Sequence, residues 1–170
     1  SKSMSLTVLI IDDEDPARIN IGELLQNIGY EVIGAGTLTE GRNYLMEGAA
    51  DIVLLDVRLP DGYGPHLLTE TAQLPIRPEV IIMTAHGDVS MAVEAMKSGA
   101  HDFIEKPLDL LNLEESVRRA ANTVSMRREL NHLRASKLNL DTFIIGSTPE
   151  MLKVVELAKR AADAAVSVLI

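Results

Sequence analysis

Five short apolar runs, each followed by a stretch with helical spacing, constrain this chain more than any other feature. The runs fall at 6–11, 30–34, 52–55, 79–83 and 102–104. Each reads as a strand, and the run at 52–55, rich in branched residues and bounded by turn formers, reads as one buried on both faces. In the first intervening stretch Ile19, Ile21, Leu24, Leu25 and Ile28 share one side, and Gly29 stops it. Asp15-Pro16 offers that helix a cap with proline at its first position. Thr37-Leu38-Thr39-Glu40 fits a capping box for the second helix. A third helix is expected from about Gly64 to Ala72, a fourth capped by Asp88 and a fifth capped by Asp109.

Strict alternation of this kind implies a parallel sheet with helices on both faces, joined by right-handed crossovers. Five units in roughly 120 residues suit a flavodoxin-like, doubly wound α/β domain of strand order 2-1-3-4-5. Strands one and three are then neighbours where the order reverses, and such sheets bind ligands beyond the strand ends at that point. Asp12-Asp13-Glu14 follows strand one, and Asp56 ends strand three. Carboxylates brought that close repel one another, and a divalent cation is the natural way to hold them. Thr84 ends strand four, and Lys106, just before Pro107, ends strand five. The inventory on that rim is a phosphoryl-transfer set. Asp56 serves as nucleophile, Mg²⁺ sits among the acids, Lys106 brings a point charge and Thr84 a hydroxyl donor.

Composition narrows the partners. Acidic residues outnumber basic ones 25 to 16, giving a net charge of -9, which argues against direct nucleic-acid binding. Aromatics are 3% of the chain, so the core is aliphatic. No cysteine is present, which removes disulfides, thiol nucleophiles and thiolate metal sites. No apolar run reaches membrane-span length and no signal peptide is legible, so a cytoplasmic protein is expected. His66, His86, His101 and His132 are scattered without ligand spacing and read as surface or loop residues. Ser1-Lys2-Ser3-Met4 reads as a foreign leader before the native start.

The fifth helix is expected to outrun its domain, reaching some 25 residues by its periodicity. Leu113, Val117 and Val124 lie at helical spacing, and the stripe then shifts to Met126, Leu130 and Leu133. These positions are expected to form a helix and linker face that pairs with a second copy. Polar, mixed residues 136–140 read as a hinge. Ser147-Thr148-Pro149-Glu150 fits another capping box, with an apolar helix face after it, and 166–170 reads as an unfinished strand. The expected division is therefore a domain over 5–125, a linker over 126–141 and a fragment over 142–170, with the natural protein continuing.

Taken together, Asp12-Asp13, Asp56, Thr84 and Lys106-Pro107, with Leu-Leu-Asp-Val-Arg-Leu-Pro-Asp-Gly around Asp56 and Met-Thr-Ala-His-Gly around Thr84, resemble the receiver domain of two-component response regulators. The resemblance covers about residues 5–125. It implies Asp56 as phosphoacceptor from a sensor histidine kinase. It implies Mg²⁺ on Asp13, Asp56 and the Arg58 backbone carbonyl, with Asp12 acting partly through water. Thr84 and Lys106 would contact the phosphoryl group, and Phe103 falls where the family has a switch aromatic, often Tyr. Residues 143–170 resemble the entry into the AAA+ domain of NtrC-like, sigma-54-dependent activators, but no Walker A loop is present. Accordingly the chain is expected to be regulatory rather than an enzyme. Two other readings stay open: a Mg²⁺-dependent aspartate-nucleophile phosphohydrolase, and a receiver-like interaction domain that works without phosphate. The first usually has an acid two residues after the nucleophile, where this chain has Arg58.

Overall fold

The computed structural model describes residues 5–145 and 149–168. Its sheet has five strands: β1 (Thr7–Ile11), β2 (Glu31–Ala35), β3 (Ile52–Asp56), β4 (Glu79–Thr84) and β5 (Asp102–Glu105). Every neighbouring pair is parallel, and the order is β2-β1-β3-β4-β5. The helices are α1 (Asp15–Asn27), α2 (Leu38–Met46), α3 (Leu67–Thr71), α4 (Val89–Lys97), α5 (Leu110–Ile145) and α6 (Pro149–Val168). This is the doubly wound fold that the alternation of runs implies. The chain divides into two compact units, residues 1–125 and 126–170.

Both faces of the sheet are covered at its centre, which is why β1, β3 and β4 carry near-continuous apolar runs while the edge strands β2 and β5 do not. Leu9, Ile11, Val53, Leu55, Val80 and Ile82 point to one face and pack with Leu38, Leu45, Leu67, Met91 and Ala95. Val8, Ile10, Ile52, Leu54, Ile81 and Met83 point to the other, against Ile21, Leu25, Leu113, Val117 and Val124. Leu113, Val117 and Val124 are therefore not a pairing face. The first half of α5 buries them beneath its own sheet, where Leu113 and Val117 are fully covered. Leu130 and Leu133, in the second unit, are exposed together with Met126, Leu138, Leu140 and Phe143.

Several expected boundaries shift for local reasons. Helix α1 takes Glu14 as its N-cap, so Asp15 lies inside the helix. The Asp12 carboxylate accepts the Glu14 N–H at 2.9 Å, turning the chain one residue early. Asp88 holds the cap position of α4 but makes no side-chain cap bond. Asp109 does cap α5, accepting the Leu111 N–H at 3.0 Å. Before α3 a 3₁₀ turn spans Gly64–His66.

No hinge interrupts residues 136–140, because α5 runs unbroken for 36 residues. Ser, Lys, Leu and Asn are polar or mixed but none breaks a helix as Pro or Gly does. The expected strand at 166–170 is also absent as far as Val168, since α6 continues through it on an alanine-rich run. The capping residues Ser147 and Thr148 lie outside the described residues. Within the second unit, Lys159 of α6 and Asp141 of α5 form an ion pair at 3.9 Å.

Candidate functional site

Register assembles the site. Ile11 stands opposite Leu55, so the next residues, Asp12 and Asp56, leave neighbouring strands at the same level. Asp56 stands opposite Met83, so Thr84 ends β4 one step further on. Thr84 in turn stands opposite Glu105, which places Lys106 one step beyond the end of β5. The Lys106 N–H also donates to the Thr84 carbonyl at 2.7 Å. Four strand ends thus deliver their polar residues to one rim.

At its centre Lys106 Nζ lies 3.2 Å from Asp12 Oδ2 and 3.1 Å from Asp56 Oδ2. The Asp12 side chain is wholly buried and that of Asp56 nearly so. Asp56 Oδ1 accepts its neighbour's N–H, from Val57, at 2.8 Å. Burial pushes the Asp56 carboxyl above its ordinary value; Lys106 pulls it down by charge and hydrogen bond, and the Asp12 charge adds to the rise. Burial works against the Lys106 ammonium, but Asp56 and Asp12 more than offset it and hold its pKa up.

Oxygens of Asp12, Asp13 and Asp56 all lie within 4.8 Å of one another. Three clustered carboxylate oxygens, one buried, one partly buried and one exposed, suit a small, hard, oxygen-seeking cation. The Thr84 side chain is buried, and its hydroxyl donates to the Ala85 carbonyl at 2.9 Å. Phe103 is half-buried against the core cluster that contains Val80 and Ile82. Arg58 is exposed and starts a small antiparallel hairpin, pairing with Tyr63. Beside Lys106 an apolar cleft of about 500 Å³ opens between Ala17 and Ile21 on one side and Ala85, Pro107 and Leu108 on the other.

Two residues supporting this rim are not legible as such in the sequence. Gly64 N donates to the Val57 carbonyl at 2.6 Å, and a Cβ on Gly64 would overlap the Asp56 backbone carbonyl. Glycine is required there by close approach, yet in sequence it reads only as a helix start. Asp61 reads as a turn residue. It reaches back to α2 instead, accepting the N–H groups of Leu38 and Thr39 at 2.8 and 2.9 Å and the Thr39 hydroxyl at 2.8 Å. A contact spanning more than twenty residues leaves no local signal. The Thr37–Glu40 box forms with one change: Glu40 N donates to Thr37 Oγ1, but the Glu40 carboxylate accepts from Gly36 rather than Thr37. His101, expected at the surface or in a loop, lies in the loop before β5, partly buried and 3.3 Å from a Glu79 oxygen.

The model of the response regulator receiver domain matches residues 8–118. The chain belongs to the response regulator receiver family. Its relatives include the regulatory protein AtoC of Escherichia coli, 33% identical over 168 residues, covering 96% of this chain and 36% of AtoC. The C4-dicarboxylate transport transcriptional regulatory protein DctD of Rhizobium meliloti is 34% identical over 170 residues, covering 99% of this chain and 37% of DctD. The receiver chain thus spans about a third of the length of these curated relatives. Among solved structures, a response regulator receiver domain protein from Clostridium thermocellum superposes with a TM-score of 0.67 at 34% identity, covering 71% of this chain and 98% of that one. NtrX from Brucella abortus, solved with ADP, gives 0.69 at 29% identity, covering 94% of this chain and 34% of its own. This is the family, and the part of it, that the NtrC-like resemblance of the sequence implied.

The Asp61 cap carries a pH dependence. Its backbone hydrogen bonds from Leu38 and Thr39, then the Thr39 hydroxyl, lower the carboxyl from 3.8 to about 2. A depressed folded-state pKa contributes stability above the unfolded value, and that stability is lost as pH falls through the folded one. Thermal melts of wild type and Asp61→Ala should differ by a constant gap between pH 5 and 7. The gap should narrow below 3.8 and close near 2. A gap independent of pH would contradict the assignment.

Proposed function

We propose that this receiver accepts a phosphoryl group from the phosphohistidine of a partner sensor histidine kinase onto Asp56. The observation that carries the reading is the single ammonium of Lys106 shared by Asp12 and Asp56 at the strand ends, with Asp13 beside them. An Asp56 carboxylate oxygen attacks phosphorus, forming an O–P bond as the N–P bond to the donor histidine breaks. The electron pair leaves with the imidazole nitrogen. Burial raises the basicity of Asp56, and the Lys106 charge and hydrogen bond pull against that rise. Lys106 then has a phosphoryl oxygen to pair with in place of a carboxylate. Asp12, Asp13 and Asp56, with the Arg58 carbonyl, are the residues that would hold Mg²⁺. When bound, that ion neutralises charge on the phosphoryl oxygens. The apolar cleft beside Lys106 supports docking of a partner's helix next to the acids.

Switching follows from what Thr84 gives up. Its hydroxyl, now bonded to Ala85, would turn to a phosphoryl oxygen, and Phe103 would move with the space it vacates. Phenylalanine has no hydroxyl to anchor it in either position. The chain is then a regulatory phosphoacceptor rather than a phosphohydrolase, working in the cytoplasm and contacting no nucleic acid itself. The match to AtoC and DctD runs through the second unit, which supports reading it as a linker and the start of an AAA+ domain. In that reading the receiver controls a sigma-54-dependent activator ATPase through a homodimer. The dimer face is the exposed stripe Met126, Leu130 and Leu133, since Leu113, Val117 and Val124 are buried.

Acetyl phosphate with Mg²⁺ should add one phosphate to the wild-type mass and none to Asp56→Asn. An equal gain in the variant would sink the assignment. In sedimentation, a Leu130→Lys, Leu133→Lys double variant should run as a monomer where the wild type dimerises. Identical behaviour of the two would remove the linker from the dimer.

A further inference from the structure

Arg18 lies in the second turn of α1, and it does not reach into solvent. Its side chain is 22% exposed. Nη1 donates to the backbone carbonyl of Asp12 at 2.6 Å, and Nη2 donates to the Asp15 carboxylate. The stem crosses the end of β2, over two glycines. A Cβ on Gly34 would come within 3.0 Å of Arg18 Cδ and 3.2 Å of Nε, and one on Gly36 within 3.7 Å of Nη1. A long cationic side chain ordinarily carries its head out to water. This one is laid across Gly34, where a Cβ would press on its stem, and ends on one particular carbonyl.

That carbonyl belongs to the peptide joining Asp12 to Asp13. The other groups of Asp12 are tied down as well. Its N–H donates to the Ala35 carbonyl at 3.0 Å, and its Oδ1 accepts the Glu14 N–H at 2.9 Å. Asp13 differs. It is exposed, and no side-chain hydrogen bond to another described residue fixes its carboxylate. The peptide before it fixes where its backbone leaves the strand end, and Arg18 bonds the carbonyl of that peptide.

We infer that Arg18 is a positioning residue for the cation site, acting on Asp13 through the Asp12–Asp13 peptide. The inference rests on the reading of Asp12, Asp13 and Asp56 as cation ligands. Charge alone argues for the opposite effect. A guanidinium beside a cation site repels the cation, so removing it would tighten binding. Removing a positioning group loosens binding instead. The sign of the change therefore separates the two roles.

The test is calorimetric titration of the full chain with Mg²⁺, for wild type, Arg18→Ala, Arg18→Lys and Asp13→Asn, with thermal melts of each. Arg18→Ala should bind Mg²⁺ about tenfold more weakly, the lower end of what an outer partner of a metal ligand is worth. Arg18→Lys should be weakened less, because one ammonium lacks the planar fork that spans both acceptors. It keeps the charge and the stem, so it carries the test if the alanine variant does not fold. Unchanged or tighter binding in Arg18→Ala, or wild-type affinity in Arg18→Lys, overturns the inference. Absence of Mg²⁺ binding by the wild type, or equal binding by Asp13→Asn, overturns the cation-site reading beneath it.

Discussion

The Lys106 ammonium stands between two carboxylates, 3.2 Å from Asp12 and 3.1 Å from Asp56, and the rest of the rim depends on that placement. Asp12 is wholly buried, and a buried charge without a partner is costly enough to be avoided. One ammonium serving two acids leaves the cluster short of positive charge, with Asp13 also close by. The proposed function uses that shortage: the site would take up a cation, and a phosphoryl oxygen would replace a carboxylate as the partner of Lys106. Structural need and proposed chemistry share one cause. Acids brought together by the sheet must be neutralised, and in the proposed function the charge that neutralises them is also the charge that meets the phosphoryl group.

What brings them together is strand register, supported from outside the strands. Parallel pairing puts Asp12, Asp56, Thr84 and Lys106 at successive steps along one edge. Gly64 closes down on the Asp56 carbonyl, and Asp61 ties the following turn to the start of α2. On the other flank Arg18 fastens the Asp12 carbonyl to α1. The loops that carry the acids are thus tied to helices on both flanks.

The strands and their terminal residues are legible because a parallel sheet buried on both faces writes itself as unbroken apolar runs. A polar residue at the end of such a run has only the rim to go to. Asp12, Asp13, Asp56, Thr84 and Lys106 can each be named that way. The supports cannot. Asp61 and Leu38 are distant in sequence, Arg18 looks like any exposed helix arginine, and Gly64 looks like a helix start. Helix α5 misleads for a different reason. Helical spacing runs through two situations: Leu113, Val117 and Val124 lie beneath the sheet while, after the stripe shifts, Leu130 and Leu133 are exposed, and spacing alone does not tell the two apart. Polarity at 136–140 suggests a break, but no Pro or Gly stands there to end the helix.

If Lys106 is the charge that keeps these acids together, a divalent cation should replace it in part. The most direct measurement is the thermal stability of wild type and Lys106→Met, each without metal and with millimolar Mg²⁺. Without metal the variant should lose about 1–3 kcal/mol, since Asp12 is left buried beside Asp56 with no counter-charge. Mg²⁺ should then raise the melting temperature of the variant more than that of the wild type. Equal stability without metal, together with an equal response to Mg²⁺, would mean that Lys106 does not balance the acids and that the rim is held by something else.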